Sequence, residues 1–199
     1  MVENTLVLVK PDGVSRALTG EIISRFEKMG LKTVALKMLH ATKEIAGKHY
    51  TEEDIGARLG EKIRNLLIDF VTEGPIVAVV IQGDEAVEVV RKMCGATEPK
   101  SALPGTIRGD YSHHSYDLNN EAGSAVRNVI HASSDKAAAE YEIGVWFNKD
   151  EIVSYDRADQ RHHWQLALTG QKNSQRTCRA QWNMLRTTAK VGGENWHLC

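Results

Sequence analysis

Four prolines, three cysteines and 6% aromatic residues are all that this 199-residue chain holds of those types. Each scarcity excludes something. Cys94, Cys178 and Cys199 stand far apart without Cys-x-x-Cys spacing, so no disulfide framework is indicated and a reduced, cytoplasmic protein is expected. With 16 glycines and no internal repeat, collagen-like and low-complexity classes are excluded. The apolar run at residues 76–81 is far shorter than the ~20 residues that cross a bilayer, so no membrane association is expected. The first ten residues show no basic leader followed by a long apolar stretch, so no signal peptide is expected. No Gly-x-x-x-x-Gly-Lys-Ser/Thr loop occurs, so any phosphate handling must use side chains instead of a glycine-rich cradle. The histidine pairs His113–His114 and His162–His163 lack a cysteine or carboxylate at finger-like spacing, which argues against a metal centre there.

What is present suits a globular domain with some surplus length: 42% hydrophobic and 26% charged residues. The net charge of -1 conceals an asymmetry. Residues 1–156 carry 18 basic and 24 acidic side chains, whereas residues 157–199 carry 7 against 2. Three of the four tryptophans also fall in that last segment, which has no sustained helical or strand period. Two units are therefore expected, a body at 1–156 and a basic C-terminal extension at 157–199. Such a tail can touch nucleic acid by charge and stacking; an appended, poorly ordered extension is the preferred reading.

Hydrophobic periodicity orders the body. Residues 5–9 read as a buried strand stopped by Pro11-Asp12-Gly13. Residues 20–29 place Ile22, Ile23, Phe26 and Met29 on one helical face, with Gly30 as the stop. Val34, Leu36 and Met38 alternate as the inward face of a second strand. Helices are expected at 42–50 and around Ile63, Leu66, Leu67 and Phe70. A doubly buried strand is expected at 76–82, followed by a helix at 84–93. Residues 96–123 read as a long irregular segment, 127–132 as a fourth strand, 137–147 as a helix and 151–155 as a short closing piece. Alternation of this kind gives an α/β layered domain, and the doubled β-α-β pattern resembles the split, ferredoxin-like arrangement.

Several polar residues are unexplained by packing. Lys10 ends a buried strand, and Arg91, Thr97, Arg108 and Arg127 flank the long irregular segment. Converging cations would form an anion site, because guanidinium groups offer paired donors to phosphate oxygens. His131 sits where an apolar strand meets a helix start, with Asn128 before it and Ser133 after it. Glu142, eleven residues on, is placed to return to the imidazole. A carboxylate accepting from one ring nitrogen fixes the tautomer and leaves the other nitrogen nucleophilic.

Lys10-Pro11-Asp12-Gly13, Pro104-Gly105-Thr106-Ile107-Arg108-Gly109-Asp110 and Asn128-Val129-Ile130-His131-Ala132-Ser133-Ser134 occur in this order. So do His49-Tyr50, Gly74-Pro75, Gly95-Ala96-Thr97 and the run from Glu142 to Phe147. Together they resemble the nucleoside diphosphate kinase family over roughly residues 4–156. The resemblance implies an α+β, ferredoxin-like βαββαβ sandwich whose four-stranded antiparallel sheet carries helices, with the C-terminal extension added to it. It implies ping-pong transfer of a γ-phosphate from a nucleoside triphosphate to a nucleoside diphosphate, with His131 as the nucleophile. Glu142 would hold the ring with Ser133 nearby. Lys10, Arg91, Thr97 and Arg108 would bind phosphates, and Tyr50 would stand beside Lys10 and the phosphohistidine. Asn128 with Lys10 would bind the ribose hydroxyls. Mg²⁺ is implied as a cofactor held mainly by nucleotide phosphates rather than by protein ligands, and the assembly implied is a tetramer or hexamer.

The chain departs from the family pattern in four places, the smallest being Ala132 where the family has a glycine after the histidine. The expected Pro-Phe-Phe segment is replaced by a longer stretch at 51–73, with Ile63 and Leu67 left to contact the base. Residues 111–124 form an insertion rich in His, Asn and Ser, and 157–199 run past the usual end. A competing reading is a binding module with a vestigial site whose basic tail engages RNA. Against it stands the joint presence of nucleophile, carboxylate partner and cations.

Overall fold

The computed structural model of the chain describes residues 2–163. The expectations of disorder and RNA contact for the tail concern, beyond 163, residues that lie outside this description. Strand β1 (Val2–Val9) turns Leu6 and Leu8 to one face and Val7 and Val9 to the other, and all four are fully buried. A strand apolar on both faces belongs in a sheet interior. It pairs antiparallel with β3 (Pro75–Asp84) on one side and with β4 (Ile130–Ala132) on the other. Strand β2 (Lys32–His40) joins β3, giving the order β2-β3-β1-β4 with every pair antiparallel. This is the expected four-stranded ferredoxin-like sheet.

Helices cover both faces. After α1 (Pro11–Ser15), helix α2 (Thr19–Lys28) lays Ile22 and Phe26 on Val7, Val9, Val77 and Val79. On the opposite face, α3 (Lys43–His49) follows β2, and a π-helical turn (Glu52–Gly56) leads through α4 (Ala57–Leu59) into α5 (Glu61–Thr72). Val90 of α6 (Ala86–Cys94) completes the first core. Then come α7 (Ile107–Tyr111), α8 (Tyr116–Ala122) and α9 (Lys136–Trp146). Ala46, Ile68, Val71 and Trp146 pack on Leu6, Leu8, Ala78 and Val80 to make the second core. Each fully buried Leu, Ile or Val contributes about 1.5–3 kcal/mol, so these two layers hold the sheet rigid beneath the site. Among the described residues no helix is long and apolar enough to cross a membrane.

Four sequence expectations need correction. Leu36 and Met38 are not an inward face: they are 52% and 61% exposed, while the adjacent Val34 and Ala35 are both buried. A register shift between Thr33 and Ala35 puts two consecutive residues inward and reverses the alternation beyond it. Met29 caps α2 in solvent instead of packing beneath it. The 96–123 segment is not irregular throughout; Thr106 and Ser115 cap the short helices α7 and α8 through their side-chain oxygens. The fourth strand covers only Ile130–Ala132, because Val129 has φ +68° and cannot join a ladder.

The closing piece follows a short 3₁₀ turn (Lys149–Glu151) and ties back through Val153 N–H to the Val34 carbonyl (2.8 Å). Arg157 continues it, donating to the Leu31 carbonyl at 2.6 Å.

Candidate active site

Ile130 and Ala132 face the core under α2 and α6, so strand alternation sends the intervening His131 to the other side, toward α3 and α9. Asp135 starts α9 by accepting from Ala138 N–H (2.9 Å), and two turns later Glu142 reaches back. Its carboxylate oxygens lie 3.1 and 3.0 Å from His131 Nε2. Ser133 Oγ donates to Glu142 Oε2 at 2.5 Å and itself accepts from Leu6 N–H. Glu142 is thus fixed from two sides, Nε2 of His131 is committed as its donor, and Nδ1 is the nitrogen left with a lone pair.

Lys10 leaves β1 at the N-cap of α1, where Pro11 suits the first helical turn. Its Nζ donates to Asn128 Oδ1 (2.8 Å) and stands 5.3 Å from the Phe70 ring centre. Packing does not explain a lysine here, yet it is packed: Lys10 is only 4% exposed. Burial foremost, then the positive Arg108, bring its pKa down from 10.5 to about 8, and the Asp12 carboxylate opposes the shift. Arg108 is also buried, donating to the carbonyls of Gly95 and Ile130 (both 2.7 Å) and keeping a buried Nε–H with no partner. Gly95 makes room for this arrangement, since a Cβ there would lie 2.4 Å from Thr106 Oγ1 and its φ is +81°. Asn128 donates from Nδ2 to the Thr97 carbonyl (3.0 Å), and Arg91 reaches the Ser133 carbonyl from the rim.

One cavity of about 430 Å³ gathers these groups. Lys10, Tyr50, Arg91, Thr97, Arg108, Asn128, His131 and Glu142 all line it, while Ser133 lies behind Glu142. Ile63 and Leu67 line its apolar wall, joined by Ile55, Leu59 and Leu66. Tyr50 is buried, and that burial, with Glu142 nearby, raises its hydroxyl's pKa, so it enters as a neutral donor. Arg127 does not belong to the set. It forms a two-point pair with Glu73 and stacks over Phe70 outside the cavity. Cys94 is a packed thiol, its pKa pushed up to about 11 by burial.

Residues without an assigned role in the sequence also converge here. His49 packs edge-on to His131 with ring centres 4.5 Å apart, and Trp146 Nε1–H donates to its Nδ1 (3.2 Å). Burial, then His131 and Lys10, hold its pKa well below 6.5, so it is neutral with the proton on Nε2. His49, His131 and Glu142 lie close enough to suggest a metal cluster. The tautomer argues otherwise, because Trp146 occupies the lone pair and the other nitrogen is protonated. The adjacency His49-Tyr50 was visible in the sequence, but its partner Trp146 is 97 positions away. Tyr116, Asn119 and Asn120 of the insertion form a further wall that no local pattern announced.

The γ-turn at Val129 completes the geometry. Ile130 N–H donates to the Asn128 carbonyl at 2.7 Å, closing a three-residue turn around φ +68°. For a β-branched residue this conformation is strained by roughly 1–3 kcal/mol, a cost typical of functional sites.

Comparisons with known proteins agree with this geometry. A family model described as nucleoside diphosphate kinase matches residues 3–152. A nucleoside diphosphate kinase of Borreliella burgdorferi is 51% identical over 164 residues, covering 82% of this chain and 98% of that protein. One from Pyrococcus furiosus is 52% identical over 157 residues, covering 79% and 90%. Among solved structures, a transition-state mimic of the Borrelia burgdorferi enzyme with bound vanadate and ADP superposes with a TM-score of 0.80 at 51% identity, covering 81% of this chain and 96% of that one. An NDP kinase from Pyrobaculum aerophilum gives 0.72 at 42%, covering 77% and 100%. A matched length of three quarters of the chain, half its residues identical and the same antiparallel sheet leave one conclusion: this chain belongs to the nucleoside diphosphate kinase family.

Proposed function

We propose that this chain transfers phosphoryl groups between nucleotides through His131, and that the residues around it divide the work as follows. The Nδ1 lone pair attacks the γ-phosphorus of a nucleoside triphosphate. The bond to the bridging oxygen breaks and the diphosphate leaves with that electron pair. In the second half-reaction a terminal oxygen of a different nucleoside diphosphate attacks the phosphorus and the N–P bond breaks. Glu142, seated by Ser133, keeps the ring oriented and balances the positive charge it acquires. Lys10, Arg91 and Arg108 offset charge on the transferring group, Thr97 and Tyr50 add neutral donors, and Asn128 with Lys10 takes the ribose hydroxyls. The base packs against Ile63 and Leu67.

The observation that carries this reading is the commitment of Nε2 to Glu142, in a cavity whose deep end is cationic. Incubation with a γ-labelled nucleoside triphosphate is expected to give a protein label that survives alkali, is lost in acid and is discharged by a nucleoside diphosphate. A protein that takes no label ends the reading.

A divalent cation fits this site as part of the substrate. The carboxylates lining the cavity are Asp54, paired with Arg58, and Glu142, spent on His131 and Ser133. Neither belongs to an oxygen cage, whereas Mg²⁺ bound by nucleotide phosphates and water needs none. Bound in that way, it neutralises charge on the phosphates and fixes their geometry.

Glu142→Gln is expected to slow phosphohistidine formation by about tenfold to a hundredfold with little change in nucleotide affinity, since the amide no longer balances the ring's charge. An unchanged rate in rapid-quench assays would remove Glu142 from this role. Pairing of copies into a tetramer or hexamer is part of the proposal; exposed Leu36 and Met38 on edge strand β2 give it an apolar surface to cover. Light scattering that returns the mass of one chain would refute it.

A further inference from the structure

Asp12 takes no part in the phosphoryl transfer described above and does not line the cavity, yet its carboxylate is buried. Oδ2 accepts from Val129 N–H at 3.0 Å, and Oδ1 is sealed from solvent with no hydrogen-bond partner. The carbonyl of the same residue accepts from Lys10 N–H at 2.9 Å. Both backbone groups of the strained residue are therefore held by the segment Lys10–Asp12. Gly13 closes the approach, since a Cβ there would lie 2.9 Å from the Val129 oxygen. The turn matters because of what flanks it: Asn128 bonds Lys10 on one side, and on the other Ile130 enters the core so that His131 faces the cavity.

We infer that Asp12 is a positioning residue, whose carboxylate clamps Val129 in its γ-turn and thereby sets Asn128 and His131 into one cavity. The inference rests on the phosphotransfer reading of that site. Why a carboxylate stands there, when an amide would also accept one N–H, follows from its neighbour. Lys10 is faced by Arg108 from α7, by neutral His49 from α3, by the Phe70 ring from α5 and by the Asn128 amide; Asp12 supplies the negative charge that favours its positive form. Arg127 in turn is influenced by the Asp12 charge from the outer side.

The clamp and the charge are separable. Glycine adopts positive φ without a clamp, so the cost of Asp12→Ala should depend on residue 129. Rapid-quench measurement of phosphohistidine formation is the readout, with thermal melting to verify folding. In the Val129 background, Asp12→Ala is expected to lower kcat by about tenfold to a hundredfold, with a smaller change in KM. In a Val129→Gly background the same change should cost less than about threefold, the two sites no longer being coupled. Equal losses in both backgrounds, or no loss in the first, would overturn the inference. Asp12→Asn keeps an acceptor for Val129 N–H, so it should retain most activity near neutral pH while the alkaline limb of kcat/KM moves to lower pH. An unmoved limb would overturn the charge role. If Asp12→Ala fails to fold, Asp12→Asn decides the clamp as well, since a loss beyond about tenfold at neutral pH with Val129 N–H still held would overturn it. Wild-type protein that takes no phosphoryl label would sink the reading of the site itself, a result distinct from these.

Discussion

Replacing His131 by alanine is expected to abolish phosphohistidine formation and to lower nucleotide-to-nucleotide transfer by at least ~10⁴-fold, because the covalent route loses its nucleophile rather than a supporting contact. The neighbours offer no substitute. His49 is neutral and buried, with one nitrogen bonded to Trp146 and the other protonated. Folding should survive. The His131 ring is partly open to the cavity, and Glu142 keeps the 2.5 Å bond from Ser133 after the ring is gone. A melting temperature within a few degrees of wild type would show this. Retention of an acid-labile, alkali-stable label by the alanine variant would place the nucleophile elsewhere.

Lys10→Met should separate activity from stability in opposite directions. The flexible apolar side chain keeps much of the buried stem but removes the cation bonded to Asn128, and turnover is expected to fall by about 10²–10³-fold. Stability follows the linkage sign. The folded-state pKa is lowered to about 8 from 10.5, so between these pH values the unfolded chain holds a proton that the folded chain does not. Stability therefore rises with pH across that window, and below about pH 8 the full cost of burying the charge applies, on the order of 3 kcal/mol. The methionine variant should lose this pH dependence. At pH 7 it should be at least as stable as wild type in urea titration, apart from the small loss of the Asn128 bond. A drop as large as that of a core Leu→Ala change would contradict this account. Wild-type kcat/KM should also decline above about pH 8 as the free enzyme's Lys10 loses its proton.

The structure explains which features were readable beforehand. Helices were local: those expected at 42–50 and 137–147 are present, and each begins on a side chain, Thr42 or Asp135, that accepts a backbone N–H three residues on. The doubly apolar run at 76–81 could belong only to an interior strand, and it does. The site residues drawn from the family resemblance, Lys10, Tyr50, Arg91, Thr97, Arg108, Asn128, His131 and Glu142, converge on one cavity. Other features had no local signal. Arg127 resembled a phosphate ligand until Glu73, 54 positions away, was found holding it. The alternation in β2 was real in the sequence but shifted by a bulge that pairing with β3 imposes. Asp12 looked like turn chemistry, and only contact with Val129 shows it as a clamp.

By itself the sequence determined the order of the four strands and the longer helices between them, the absence of a glycine-rich phosphate loop, and the set of side chains able to carry and stabilise a phosphoryl group. Periodicity and capping act over a few residues, so they can be read from neighbours. Tertiary structure alone decided which cations face the nucleophile, which imidazole nitrogen is left free, and how far Lys10 is stripped of water. Those properties depend on distance and burial between residues far apart in the chain, where electrostatic strength is set by the surrounding medium rather than by residue type.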